Sequence, residues 1–351
     1  MKRVGILGQP SSGKTTLFEI LMQGAGAQAP AASSRERIGV VRVPDERVDR
    51  LAQLFTPKQT TYTQIQIVDS AAAGHAGGKP GKGTDLFASV RTCDALIAVV
   101  RDFESEVLPT ANGVDPGRDL RALEDELVLN DLVIVETRME RIEKELRIGK
   151  KQSEGEYAIL KECRERLESG AALRGGTFDD VAERLLSNFQ LLSRKPLIAV
   201  YNQDEHSDRV PTASGPQAMA VRLRAHLERE IVNLPLEERE TFRREMGIEE
   251  DGLSLVIRSC YELLGLISFF TVGPDEVRGW TLSRGDRAVD AAGEIHSDLA
   301  KGFIRAEVVP WQVLIDEGGI AGARAKGLLR LEGREYLAQD GDCMEIRFNR
   351  T

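Results

Sequence analysis

The stretch that decides the fold is Gly8-Gln9-Pro10-Ser11-Ser12-Gly13-Lys14-Thr15, which fits the pattern Gly-x4-Gly-Lys-Ser/Thr. It follows a short apolar run, Val4 to Leu7, which predicts a buried parallel strand. Behind it, Thr15 to Met22 carries apolar residues at helical spacing. A strand, a glycine-containing turn and a helix in that order predict a loop whose main-chain N–H groups hold a phosphate.

Each residue type in this loop has a predicted role. Glycine at positions 8 and 13 lets the main chain wrap a phosphate more closely than side chains would allow. Lys14 is predicted to reach the β- and γ-phosphates, and the Thr15 hydroxyl to ligate Mg²⁺. Pro10, Ser11 and Ser12 complete the predicted nucleotide-binding loop.

Three residues outside the loop are further candidates for the metal and the chemistry. Asp69 ends the apolar run Ile65 to Val68, where a carboxylate can hold magnesium through water; the alternative is a capping or turn aspartate. Ser33, or its neighbour Ser34, could close onto magnesium from a small, polar segment, or be simply solvated. His75 lies among glycines, where it could position the attacking water or be a solvated loop histidine.

A base-reading site is predicted at Asn202-Gln203-Asp204-Glu205, directly after the predicted strand Pro196 to Tyr201. It resembles the Asn-Lys-x-Asp motif of GTPases, in which the aspartate accepts hydrogen bonds from guanine. The longer Glu205 should weaken guanine recognition, whereas Asn202 can still pair with N7 or the adenine amino group. The motif favours ATP without excluding GTP, and an ordinary loop is the alternative.

Strand-like runs separated by helices predict a doubly wound α/β sheet. A heptad stripe from Val128 to Leu146, resumed at Leu160, predicts an inserted antiparallel helical hairpin. An ordinary amphipathic helix pair packed on the nucleotide domain is the alternative. The predicted domains are a nucleotide-binding domain over 1–120 and 190–265, a helical coiled coil over 121–189, and an α+β domain over 268–351.

Composition limits the possible partners of the 351-residue chain. Its formal net charge is -9 and its aromatic content is 5%, so any RNA contact must come from a local patch. Basic residues from Arg138 to Lys151 could form one, but the interleaved glutamates make a solvated face an equal alternative. The four widely spaced cysteines favour a reducing cytosol, and we expect neither a signal peptide nor a membrane span.

The C-terminal sequence carries a resemblance to a known family. Its most specific segments are Phe269-Phe270-Thr271-Val272-Gly273, Glu276-Val277-Arg278-Gly279-Trp280-Thr281, Ala291-Ala292-Gly293-Glu294-Ile295-His296-Ser297-Asp298 and Lys301-Gly302-Phe303-Ile304-Arg305-Ala306-Glu307-Val308. Together with Gly333-Arg334-Glu335-Tyr336, Gln339-Asp340-Gly341-Asp342, the phosphate loop and the helical hairpin, they resemble the YchF/Obg-like ATPase family over nearly the whole chain.

The resemblance implies an ATP- and GTP-capable triphosphatase that often prefers ATP and associates with ribosomes. It implies a G domain with an inserted coiled coil and a C-terminal TGS domain of β-grasp fold. Ser11 to Thr16 align with the family's phosphate loop, and Ser33 with its switch threonine. Asn202, Gln203 and Glu205 align with its base-reading motif.

This sequence departs from the family pattern at two positions. Ser11 replaces an asparagine linked to potassium use, and Ala72 replaces the glycine of Asp-x-x-Gly. Ala73 keeps the family's absence of the glutamine that orients water in Ras-type enzymes. The leading hypothesis is an ATP-hydrolysing molecular switch that contacts ribosome or RNA. The alternatives are a nucleotide-gated binding module with negligible hydrolysis and a small-molecule P-loop kinase.

Overall fold

The computed structural model describes residues 1–24, 37–69, 87–107, 110, 112–148, 154–205, 207–246, 248 and 251–349. The chain folds into two compact units, each assembled from separate stretches of sequence. We call them the nucleotide unit, residues 2–40 and 66–256, and the C-terminal unit, which comprises Met1, residues 41–65 and residues 257–351. Residues 41–65, assigned from the sequence to the nucleotide domain, are thus grouped with the C-terminal unit.

The strands of the described residues divide between two sheets. In chain order they are β1 (Arg3–Leu7), β2 (Arg37–Arg42), β3 (Gln59–Thr61), β4 (Gln64–Asp69), β5 (Ala95–Asp102), β6 (Leu197–Gln203), β7 (Ala218–Leu223), β8 (Leu266–Val272), β9 (Glu276–Ser283), β10 (Phe303–Pro310), β11 (Arg330–Glu332) and β12 (Asp342–Phe348).

The α-helices of the same residues range from short connecting turns to a helix of 32 residues. They are α1 (Lys14–Gly24), α2 (Glu46–Phe55), α3 (Pro116–Arg147), α4 (Glu154–Glu168), α5 (Asp180–Ser187), α6 (Ala225–Asn233), α7 (Leu236–Glu245), α8 (Gly252–Leu263), α9 (Ala288–Ile295), α10 (Ser297–Lys301), α11 (Trp311–Asp316) and α12 (Ile320–Ala325).

The nucleotide unit is built on a six-stranded sheet of order β2-β4-β1-β5-β6-β7. β1 runs parallel to both β4 and β5, β5 runs parallel to β6, and β6 to β7. Every residue of β5 and β6 is buried, which explains why these strands read as continuous apolar runs. The predicted α/β fold class is confirmed, and the parallel strands bring their carboxyl ends to one edge.

The predicted helical hairpin corresponds to α3 and α4, which are joined by a short connection. Asp115 caps α3 by accepting a hydrogen bond from the Arg118 N–H, and Pro116 occupies the first turn. The heptad positions Val135 and Ile142 are completely buried. They pack in one apolar cluster with residues of α4, so the sequence stripe is the seam between the two helices.

The C-terminal unit contains the second six-stranded sheet, of order β11-β10-β12-β8-β9-β3. Its edge strand β3 pairs in parallel with β9, with Gln59 opposite Glu276. The sequence pattern over Thr61 to Val68 predicts a strand, which the structure confirms as β4 from Gln64 onward, whereas Thr61 ends β3 in the other sheet. The alternating pattern predicts extended chain, but it does not determine with which sheet each half pairs.

Arg47 of α2 links distant parts of the C-terminal unit. Its guanidinium lies 2.9 Å from the Asp340 carboxylate and 5.1 Å from the ring centroid of Phe270. Asp340 also accepts a hydrogen bond from the Ser268 N–H at 2.9 Å. The chain turns at Asp340 and Gly341, and the φ of 92° at Gly341 requires the freedom of glycine.

The four cysteines are free and buried in this structure. Burial raises the pKa of the Cys163 thiol to about 11 and that of Cys260 to about 12. Burial thus disfavours the thiolate, which is the nucleophilic form, at both positions. Among the helices that the structure describes, none is long and apolar enough to cross a membrane.

Candidate nucleotide-binding site

The phosphate loop, Gly8–Thr15, turns sharply between β1 and α1. Gly8, Ser11 and Gly13 have φ values of 151°, 62° and 102°. A Cβ at Gly8 would lie 2.3 Å from the Val99 carbonyl oxygen, and one at Gly13 would lie 2.4 Å from the Asn202 amide nitrogen. Both glycines are therefore required by conformation and by space, independently of any ligand.

Lys14 is folded back over this loop. Its Nζ donates hydrogen bonds to the carbonyl oxygens of Gly8 and Gln9 at 2.9 and 2.8 Å. Burial lowers the pKa of the Lys14 ammonium, and the charge of Asp69 opposes that shift. Ser12 is 1% exposed, and its hydroxyl has no hydrogen-bond partner among the described residues. A cationic side chain and an unsatisfied hydroxyl at one tight turn fit a polyphosphate.

Asn202 braces the loop from the neighbouring strand β6. Its Nδ2 donates to the Ser12 carbonyl oxygen at 3.0 Å, and its Oδ1 accepts from the Ala225 N–H at 3.1 Å. The carboxamide thus ties the phosphate loop to the first residue of α6. This geometry gives Asn202 a scaffolding role that the sequence did not predict, and one N–H of the amide remains for a ligand.

A cavity of about 660 Å³ opens beside the loop, and we call it the nucleotide cavity. Its volume is in the range of pockets that hold cofactor-sized ligands. Asp204 lines it, whereas the exposed Glu205 is not one of its lining residues. The lining residues are Ser11, Gly13, Lys14, Thr15, Thr16, Phe103, Glu104, Ser105, Asn202, Gln203, Asp204, Ala225, His226 and Arg229.

Gln203 is 2% exposed and is held by the end of β5. Its amide donates to Asp102 Oδ2 at 2.7 Å and to the Arg209 carbonyl oxygen at 2.8 Å. Arg209 in turn donates to Asp102 Oδ1 at 2.7 Å. Where the GTPase motif has a lysine, this chain has a neutral side chain that fixes the following segment against the sheet.

Two of the predicted metal-binding residues offer oxygen donors, the type that Mg²⁺ prefers. Asp69 ends β4 with no exposed surface, and its carboxylate lies 3.7 Å from the Arg37 guanidinium. Thr15 is exposed in the first turn of α1. The described residues contain no group of three or more acidic, histidine or cysteine side chains suited to a metal.

The other predicted catalytic and metal-binding residues cannot be placed. Ser33, its alternative Ser34 and His75 lie outside the described residues, as do Ala72 and Ala73. Their roles remain predictions.

Comparison with known proteins extends these observations to the whole chain. The chain is 38% identical over 361 aligned residues to the "Ribosome-binding ATPase YchF" of Bacillus subtilis (strain 168), covering 98% of each protein. The chain belongs to the YchF family. The protein of the same name from Escherichia coli O157:H7 is 35% identical, with 99% of each chain covered.

A solved structure of the YchF family agrees with this fold. The chain matches the "Structure of the Schizosaccharomyces pombe YchF GTPase" with a TM-score of 0.85 and 28% identity, covering 99% of this chain and 97% of that one. The family model YchF-GTPase_C, described as a protein of unknown function (DUF933), matches residues 266–349. The match to this segment agrees with the C-terminal motifs that carry the sequence resemblance.

Several residues of the site were missed by sequence reasoning about this YchF-family chain. Phe103 lines the nucleotide cavity directly after β5, and the Arg101 guanidinium lies 4.7 Å from its ring centroid. His226 and Arg229 line it from the first turns of α6, and Arg37 reaches Asp69 from β2. Phe103 could have been predicted from the sequence, because it directly follows the strand β5, and side chains at the carboxyl ends of parallel strands lie together at one end of the sheet.

Proposed function

We propose that this chain binds magnesium–ATP, with GTP as a weaker alternative, hydrolyses it, and uses the nucleotide state to control contact with ribosomes in the cytoplasm. The phosphate loop is the observation that carries the proposal. Gly8 is fixed by a close main-chain contact and Gly13 by the side chain of Asn202, and Lys14 supplies a partly buried cation beside them. Loops of this conformation at a helix N-terminus are anion sites.

The described residues have distinct roles in this proposal. Lys14 would exchange its two carbonyl partners for phosphate oxygens and balance developing negative charge. Thr15 and Asp69 would hold Mg²⁺, which supplies charge neutralisation when bound. In hydrolysis the oxygen of a water forms a bond to the γ-phosphorus while the bond to the bridging oxygen breaks, and the two protons of the water leave with the phosphate, giving the nucleoside diphosphate and dihydrogen phosphate.

The nucleotide cavity favours a different base-reading residue from the sequence motif. Asp204 lines the cavity, while Glu205 is exposed outside it. Phe103 supplies an aromatic face that can contact a base. The bacterial relatives are named ATPases and the Schizosaccharomyces pombe protein a GTPase, and competitive binding of ATP and GTP to this chain measures the preference.

The hydrolysis step is tested by Lys14→Ala. We expect the variant to bind magnesium–ATP about a hundredfold more weakly, because two charge-assisted contacts are lost. Phosphate release under multiple turnover should fall at least as much. The matched control is Lys161→Gln on α4, an exposed lysine whose carboxylate partner Glu165 lies 3.9 Å away.

Tight nucleotide binding by the wild type with only background turnover would instead establish a nucleotide-gated binding module. Phosphate transfer to an acceptor other than water would indicate a kinase. Absence of any magnesium–nucleotide binding would overturn the proposal altogether.

The ribosome part of the proposal is supported by the printed names of the bacterial relatives. Co-sedimentation with ribosomes in the presence of a non-hydrolysable ATP analogue, ADP or no nucleotide tests it. We expect association to depend on which nucleotide is present, and Lys14→Ala to lose that dependence. Association that is identical in all three states would remove the switch from the proposal.

A further inference from the structure

A second polar cavity, of about 430 Å³, lies within the nucleotide unit at the amino ends of the strands of the same sheet. Asp94, Pro196 and Gln217 line it, and each immediately precedes one of the parallel strands β5, β6 and β7. We call it the amino-end cavity. A strand of seven residues is roughly 23 Å long, so this cavity is well separated from the nucleotide cavity.

Arg174 is the most buried cation of the amino-end cavity, at 5% exposure. Its Nε donates to the Lys195 carbonyl oxygen at 3.0 Å, and its Nη1 pairs with Glu124 of α3. Its Nη2 is buried and has no hydrogen-bond partner within the part of the chain that the structure describes. A buried guanidinium N–H without an acceptor costs free energy that a bound anion would recover.

Other cations line the same cavity. Arg91, Arg194 and Lys195 join Arg174, against two carboxylates, Asp94 and Glu183. Burial lowers the pKa of Arg174, Arg194 and Lys195.

The two carboxylates have partners of their own. Asp94 accepts from the Arg3 N–H at 2.7 Å, and Glu183 pairs with Arg194. The four lining cations therefore outnumber the two lining carboxylates, while Glu124 of α3 also pairs with Arg174.

The backbone around the cavity is strained. Gln190 and Gln217 have φ values of 52° and 51°, in the left-handed region that non-glycine residues seldom adopt. Both line the amino-end cavity. Ser11, with a φ of 62°, occupies the same region and lines the nucleotide cavity. Strain of this kind persists where the surrounding structure holds it, which is common at ligand sites.

Helix α3 holds the cavity wall in place. Asp131, which has no exposed surface, accepts hydrogen bonds from the N–H groups of Leu192 and Ser193 at 2.9 and 2.7 Å. Asn130 accepts from Arg91 at 2.5 Å. The segment that carries Arg194 and Lys195 is thereby fixed before any ligand arrives, which lowers the ordering cost of binding.

We propose that the amino-end cavity binds the terminal phosphate of a small phosphomonoester. Arg174 lines the cavity and its Nη2 has no acceptor, so a small anion that enters beside Arg174 would supply one after a shift of the neighbouring side chains. A terminal phosphate brings three oxygens and close to two negative charges to that depth. A phosphodiester within a polymer is flanked on both sides and carries one charge, so it fits this concave cavity less well.

The experiment is calorimetric titration of the full chain whose nucleotide cavity is saturated with magnesium and a non-hydrolysable ATP analogue. The probes are inorganic phosphate, adenosine 5′-monophosphate and a short RNA with hydroxyl groups at both ends, at constant ionic strength. The variants are Arg174→Lys, which keeps a cation for Glu124, and Arg194→Gln, at a more exposed position. Lys161→Gln is the control for loss of one charge.

We expect saturable binding of both phosphomonoester probes, weakened about tenfold or more by Arg174→Lys and by Arg194→Gln. Lys161→Gln should bind as the wild type does. Equal affinity in all four proteins would overturn the proposal, as would no saturable binding up to about 10 mM. Preferential binding of the RNA would replace a phosphomonoester site with a nucleic-acid contact and overturn this assignment. If Arg174→Lys fails to fold, the Arg194→Gln result decides.

Discussion

The nucleotide cavity and the amino-end cavity lie at opposite ends of the strands of one parallel sheet and would use different chemistry for the same type of charge. At the carboxyl end, glycines at 8 and 13 would leave the main chain free to surround an anion, with Lys14 as the nearby cation. At the amino edge, side chains provide the donors, and Arg174 is the deepest of them.

The difference shows why only one of the two was visible in the sequence. A main-chain site needs glycines at fixed spacing in one short segment, so it leaves a motif. A side-chain site can gather its cations from distant segments, as Arg91, Arg174 and Arg194 illustrate. Its residues have no common spacing, and each alone looks like an ordinary surface or ion-pair residue.

The largest expected effect comes from Gly13→Ala, which should affect the nucleotide cavity alone. The new Cβ would lie 2.4 Å from Asn202 Nδ2 at a φ of 102°, so the loop must move. We expect magnesium–ATP affinity to fall about a hundredfold or more, because strain and lost main-chain contacts add.

Phosphate binding at the amino-end cavity should be unchanged in the same variant. Gly155→Ala is the control, because a Cβ there meets nothing within 4 Å on helix α4. If Gly13→Ala weakens phosphate binding at both cavities equally, the two sites are not independent.

Asp131→Ala should affect the amino-end cavity. It leaves the buried N–H groups of Leu192 and Ser193 without their acceptor. We expect the free energy of unfolding to fall by about 3 kcal/mol in chemical denaturation. Phosphate affinity at the amino-end cavity should fall with it, because the segment carrying Arg194 loosens.

Asp131→Asn keeps one acceptor oxygen and should lose less stability than Asp131→Ala. Magnesium–ATP affinity should change less than twofold in both variants. A large loss of ATP binding with an intact fold would show that α3 supports the nucleotide cavity as well.

The smallest expected effect concerns which residue, Asp204 or Glu205, recognises the base in the nucleotide cavity. Asp204→Asn removes a carboxylate that can accept from the guanine N–H donors, so the GTP-to-ATP affinity ratio should fall by up to about tenfold. Glu205→Gln, one residue further and outside the cavity, should change that ratio less than twofold. Competitive binding of the two nucleotides measures both. The opposite ranking would favour the sequence motif, in which Glu205 reads the base.

Much of the fold could be predicted because local patterns carry it. The phosphate loop, the buried strands β5 and β6 and the seam of α3 all leave periodic or motif signals. The sheet to which each part of residues 59–69 belongs could not be predicted, because the alternation of side chains along a strand is the same whichever sheet the strand joins. Asn202 was predicted to read the base, yet its contacts with Ser12 and Ala225 depend on elements far apart in sequence.

The sequence by itself determined the phosphate loop, because Gly8 and Gly13 are the residues that its backbone conformation requires. Tertiary structure alone decided which side chains meet around it, placing Asp204 at the cavity and Glu205 outside. It alone also gathered Arg91, Arg174 and Arg194 at the amino edge of the sheet. The physical reason is that backbone conformation is set by neighbouring residues, whereas charge clusters depend on how parallel strands bring distant loops to one edge.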